Sequence, residues 1–108
     1  MNQVFVYHTM LFPEIRRKVF GYDISAGKID FLPDYSLESF KTPEGHDFHT
    51  VKPNEGGKVI GRVLTLSDPE YKKLTEWEDE YEVKNVVLDS GLKAVTFVLK
   101  DDYKEQQE

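Results

Sequence analysis

The chain has 108 residues, of which 39% are hydrophobic and 13% aromatic, with no cysteine and a formal net charge of −6. That length suits one domain, and seven Phe with six Tyr fill a small core with few side chains. Disulfides, thiolate metal sites and a cysteine nucleophile are excluded, and 20 acidic against 14 basic residues argue against nucleic acid as a partner.

The one dense basic run, Arg16-Arg17-Lys18, is too short to reverse that balance. The longest apolar runs are only a few residues, and Met-Asn-Gln-Val-Phe-Val-Tyr at the start has no basic or long apolar region. We therefore expect no membrane span, no secretory signal and a cytoplasmic location. Residues 1–103 read as a single domain, and 104–108 as a flexible C-terminal tail.

Val4-Phe5-Val6-Tyr7 is a continuous β-branched and aromatic run, which predicts a strand central in its sheet rather than at an edge. His8-Thr9-Met10 leaves that strand, and Phe12-Pro13-Glu14 opens a short helix with proline in its first turn and Gly21 soon after. Lys28 to Phe40 reads as a strand interrupted at Pro33, a residue that belongs at an edge or a bulge. From Lys41 to Gly57, the concentration of Pro43, Gly45, Pro53, Asn54, Gly56 and Gly57 predicts a loop, with a short strand from Phe48 to Val51 inside it.

Lys58 to Leu66 is the clearest strand in the chain. Ser67-Asp68-Pro69-Glu70 is a capping box, and the helix it starts runs to about Trp77. Tyr71, Leu74 and then Trp77 or Glu78 recur along one face, and Trp77, as a large aromatic, is expected to be buried. Tyr81 to Leu88 and Leu92 to Leu99 form a hairpin about Asp89-Ser90-Gly91. The fold class is α+β: a small mixed β-barrel with two short helices.

The segment from Leu74 to Tyr81 carries the chemistry. It interleaves carboxylates with Trp77 and Tyr81, so one carboxylate can be held against apolar walls while its neighbours stay solvated. Desolvation raises the pKa of that group and suits it to proton transfer near neutral pH. Glu78 is the candidate, and Glu76, Glu80 and Glu82 read as solvated. Charge pattern alone also fits a plain acidic rim for all four. Against that, acidic residues at a helix C-terminus oppose its dipole, and the two aromatics pull the segment inward.

His46-x-x-His49 offers two imidazoles near Asp47, but the spacing supplies no third ligand, so neither histidine is given a role and no metal or other cofactor is expected. There is no Gly-x-Ser-x-Gly, P-loop or Gly-x-Gly-x-x-Gly. The turn His8-Thr9-Met10 follows a buried strand, where backbone N–H groups form a ready cradle for a carboxylate; it also reads as an ordinary connection.

Three stretches together resemble the gamma-glutamylcyclotransferase-like family of small-barrel, AIG2-like proteins. Val4-Phe5-Val6-Tyr7-His8-Thr9-Met10 is similar to its opening Val-Phe-Val-Tyr-Gly-(Ser/Thr)-Leu. Val59 to Asp68 is similar to its central strand with an embedded glycine, and Leu74 to Tyr81 to its Leu-Asp-x-(Tyr/Phe)-Glu-x-x-Tyr. The resemblance implies an enzyme that turns a gamma-glutamyl amine or gamma-glutamyl amino acid into 5-oxoproline and a free amine, without a cofactor. It implies Glu78 as general acid/base, and Tyr7, His8, Thr9, Met10 and Tyr81 as substrate-binding residues. Three positions depart from the pattern: His8 replaces a Gly, Met10 a Leu and Thr75 an Asp. The His8 change leaves a second reading open, a non-catalytic binding or interaction module on the same fold.

Overall fold

The computed structural model describes residues 1–41 and 43–101; the tail expected at 104–108 lies outside them. Strand β1 (Asn2–Val6) leads through a 3-10 turn (Thr9–Leu11) to helix α1 (Pro13–Phe20). Strands β2 (Ile29–Lys41) and β3 (Asp47–Leu66) follow, then helix α2 (Asp68–Trp77) and the hairpin of β4 (Tyr81–Val87) and β5 (Lys93–Leu99). No helix among the described residues is long and apolar enough to cross a membrane.

The five strands form one sheet in the order β2-β3-β1-β5-β4, which puts β1 at its centre. β1 runs antiparallel to β3, from Asn2 opposite Leu66 to Val6 opposite Arg62, and parallel to β5 through Val4 and Val95. Val4 and Val6 pack on the helix side with Met10, Phe20 and Leu74. Phe5 points the other way, into the concave side, with Leu32, Val51 and Val63. A strand dry on both faces needs no polar alternation, hence the unbroken apolar run. Gly61 permits the close fit beside it, because a Cβ there would lie 2.3 Å from the Val6 carbonyl oxygen.

The sheet curls into a half-barrel, and its two ends are clasped by different bonds. At one end, the Asp89 N–H donates to the Phe31 carbonyl at 2.9 Å, and the Ser90 hydroxyl and N–H donate to the Asp30 carboxylate. The Ser90 hydroxyl holds the Asp30 carboxyl below the usual carboxylate range. At the other end, the Leu99 N–H donates to Thr50 Oγ1, and the Tyr81 hydroxyl donates to the His49 carbonyl, each at 2.9 Å.

The loop expected from Lys41 to Gly57 is mostly strand. β3 begins at Asp47 and pairs with β2 from Lys41–Asp47 through Tyr35–Pro53 and on to Ile29–Arg62. The turn-forming residues mark a bulge instead. Between Tyr35–Pro53 and Pro33–Lys58, Asp34 alone opposes the four residues 54–57, and its carboxylate accepts the Gly56 N–H at 3.0 Å. Asp34 itself has a φ of 64° and Gly56 one of 83°, the conformations that such an insertion demands. β1 reaches β3 only over residues 62–66, so Pro53 lies where β3 has β2 on one side and no sheet neighbour on the other.

The capping box is present in full: Ser67 Oγ accepts the Glu70 N–H at 3.3 Å, and Glu70 Oε1 accepts the Ser67 N–H at 2.8 Å. Leu74 is fully buried, but Trp77 is 42% exposed, with Lys18 Nζ 5.9 Å from its ring centre. The expected burial of Trp77 is therefore incorrect. The inward row is Tyr71, Leu74 and Glu78; Tyr71 and Glu78 stand two turns apart on one line, and Trp77, one residue before Glu78, points about 100° away from it. Replacing Ser67 with Ala removes one half of the box and lowers unfolding stability by about 1 kcal/mol, measurable by urea denaturation.

Candidate active site

The end of β1, the start of β3, the end of α2 and the start of β4 meet around a cavity of about 280 Å³. Tyr7, His8, Thr9 and Met10 line it from the loop after β1, Asp47 and His49 from β3, and Glu78 and Tyr81 from the turn between α2 and β4. Leu74 and Phe97 supply apolar wall. The residues expected at the site are thus brought together.

Glu78 caps the C-terminus of α2, where its N–H donates to the Leu74 carbonyl at 2.9 Å. Its own carbonyl accepts the Tyr81 N–H at 3.0 Å, so the chain reverses into β4 about this residue. Burial, and then the charges of Glu80 and Asp79, push the Glu78 carboxyl up to about 7. The last turn of α2 contains no basic residue to offset its dipole. The apolar surroundings are Leu74, Phe97 and the rings of Tyr7 and Tyr81, and not the neighbouring Trp77.

Both tyrosines are anchored by their hydroxyls. Tyr7 donates to the Phe97 carbonyl at 2.5 Å, and Tyr81 to the His49 carbonyl. Burial pushes the Tyr7 hydroxyl up beyond its ordinary value; burial and then Glu78 push Tyr81 up to about 12. With their protons committed to main-chain carbonyls, they act as fixed walls rather than as acids.

His8 has a φ of −144°, so the position where the family pattern has Gly does not require left-handed backbone. Its ring stacks on His49 with centroids 3.7 Å apart and planes 26° from parallel. Burial and then His49 lower the His8 pKa. The 3-10 turn after it is closed by the N–H groups of Leu11 and Phe12 on the carbonyls of His8 and Thr9. Those of Thr9 and Met10 stand outside that ladder.

His49 is a cavity residue on a strand, and not an ordinary loop histidine. The short strand expected from Phe48 to Val51 begins one residue earlier, within β3, and alternation puts Asp47, His49 and Val51 on one face. Glu76 and Glu82 are exposed as expected, whereas Glu80 is half-buried, and burial and Asp79 push its carboxyl up. Expecting Glu80 to be solvated was incorrect, because the turn 78–80 folds back under β5, with the Glu80 carbonyl accepting the Lys100 N–H at 3.0 Å.

The family model described as "Gamma-glutamyl cyclotransferase, AIG2-like" matches residues 4–108. The chain belongs to this family. No curated protein matches the sequence significantly. Among solved structures, an Arabidopsis thaliana protein solved in solution is 26% identical with a TM-score of 0.72, covering 91% of this chain and 61% of that one. A protein described as gamma-glutamyl cyclotransferase is 18% identical with a TM-score of 0.77, covering 92% and 66%. An uncharacterised Homo sapiens protein is 17% identical with a TM-score of 0.78, again covering 92% and 66%. The last two likenesses bear on fold alone. This member of the gamma-glutamyl cyclotransferase, AIG2-like family spans less than two thirds of the first of these structures.

A carboxyl raised on folding destabilises the folded state once it ionises. Below about pH 4.5, Glu78 is protonated folded and unfolded, and its burial carries no charge penalty. Between 4.5 and about 7, the unfolded chain loses the proton first, and the penalty grows until it levels off above 7. Glu78→Gln should therefore leave stability at pH 4 nearly unchanged and raise it at pH 8 by on the order of 2 kcal/mol, read from paired denaturant curves.

Proposed function

We propose that the protein is a cofactor-independent cyclotransferase that releases 5-oxoproline and a free amine from a gamma-glutamyl amine or gamma-glutamyl amino acid. The observation that carries this reading is Glu78, held with a carboxyl pushed up to about 7 in a cavity shared with the loop from Tyr7 to Met10. Family membership supports the reaction class.

The substrate brings its own nucleophile. Its α-amino nitrogen forms a bond to the γ-carbonyl carbon, and the bond from that carbon to the departing amine breaks. Glu78 as carboxylate takes the proton released by the attacking amino group and gives it to the leaving nitrogen, so no water is consumed. The backbone N–H groups of Thr9 and Met10 hold the glutamyl carboxylate. Tyr7 and Tyr81 form ring walls that keep the glutamyl chain folded for attack, and pre-folding supplies much of the rate.

The first test is 5-oxoproline formation across a panel of gamma-glutamyl amines. Glu78→Gln preserves shape but removes the proton acceptor, and should lower turnover at least ~10²-fold with binding largely intact. Since the carboxylate is the active form, wild-type kcat/KM should fall as pH drops through about 7, while Glu76→Gln and Glu82→Gln behave as wild type. No 5-oxoproline from any substrate would leave the binding-module reading in its place.

The His8 ring occupies part of the cavity wall, and its φ lies outside the left-handed region. His8→Gly should therefore retain or improve turnover of small gamma-glutamyl amines in steady-state assays. Loss of both binding and activity would give His8 a direct role in the site.

A further inference from the structure

Arg16 is a buried charge that the proposed chemistry leaves unused. It is only 7% exposed, and among the described residues no carboxylate pairs with it. Its neighbours in the basic run behave otherwise. Arg17 pairs with Asp23 at the surface, and Lys18 lies over the Trp77 ring. Only Arg16 turns inward, where Nη1 donates to the Met10 carbonyl at 2.9 Å and Nε to the Ile24 carbonyl at 3.0 Å. Removing a cation from water is unfavourable, and a neutral side chain would fill the same space without that penalty.

A chain of hydrogen bonds leads from this cation to the cavity. The Met10–Leu11 peptide accepts Arg16 at its carbonyl, and its Leu11 N–H donates to the His8 carbonyl at 3.0 Å. The His8–Thr9 peptide, polarised in turn, carries the Thr9 N–H that the 3-10 turn does not use. Each bond in such a series strengthens the next. The same guanidinium ties the loop to the segment after α1, and the Arg16 N–H holds the Phe12 carbonyl at 3.2 Å. The loop is thereby fixed from behind, on the side away from substrate.

We propose that Arg16 is the positioning residue of the substrate-carboxylate cradle, fixing the loop from His8 to Leu11 and strengthening its free N–H donors toward an anion. This rests on the cyclotransferase reading above. Arg16 touches no substrate atom and acts through two peptide groups.

The test compares wild type, Arg16→Lys and Arg16→Met with one gamma-glutamyl amine. Arg16→Met should raise KM about tenfold, the scale of one charge-assisted hydrogen bond, with kcat within about twofold and its acid limb unmoved. Arg16→Lys keeps the charge but cannot hold both carbonyls, and should recover part of the loss. An unchanged KM, or a kcat that falls only in step with lost folded protein, would overturn the inference. If Arg16→Met does not fold, Arg16→Lys carries the test alone: a KM raised about threefold supports the inference and an unchanged KM overturns it. An inactive wild type would be a failure of the cyclotransferase reading and not of this one. The variants are then compared by the shifts of the Thr9 and Met10 amide resonances on titration with glutamate. Shifts in wild type that Arg16→Met loses support the proposal; equal shifts, or none in wild type, refute it.

Discussion

Val4, Phe5 and Val6 must all leave water, and since neighbours on a strand point to opposite faces, β1 needs cover on both sides. The helices supply one cover and the concave side of the curled sheet the other. β3 and β5 occupy the two edges of β1, and β2 and β4 extend the sheet until its ends meet through Asp30 and Ser90. The strand that this requirement makes central ends at Val6, so the loop that follows it from Tyr7 opens into the interior of the fold. That is where the cavity lies.

Glu78 reaches the cavity because α2 presents Leu74 inward and has Glu78 as its C-cap four residues later. The four-step that buries Leu74 aims the carboxylate along the same face, and the turn into β4 brings Tyr81 beside it. Three effects then act in one direction: lost hydration, the adjacent charges of Glu80 and Asp79, and a helix terminus of the wrong sign for an anion. Stability is given up for a group that titrates near neutrality. Arg16 is the opposite case, a cation retained in the interior behind a loop of main-chain donors.

What could be read from the sequence was local. The unbroken run of β1, the capping box at Ser67 and the hairpin about Asp89-Ser90-Gly91 each depend on a few consecutive residues, and all three are present. The family pattern singled out Glu78 and the loop from Tyr7 to Met10, and both line one cavity. Residues 41–57 misled because Pro53, Gly56 and Gly57 mark a bulge opposite Asp34 just as well as a loop, and only the pairing partner distinguishes them. His49 sits in the short strand expected from Phe48 to Val51, but which face of it lines the cavity depends on the partners of β3. Trp77 misled because hydrophobic size was given more weight than helical phase, and Arg16 because a basic run reads as surface until its partners are known.

The account stands or falls on one ionisation. With side-chain carboxyl carbons labelled with 13C, the Glu78 resonance can be assigned by its loss in Glu78→Gln and followed from pH 3 to pH 9. A midpoint near 7, well above the ordinary glutamate value of 4.5, is the expected result. A Glu78 midpoint near 4.5 would mean that the carboxylate is hydrated, and would contradict the central claim.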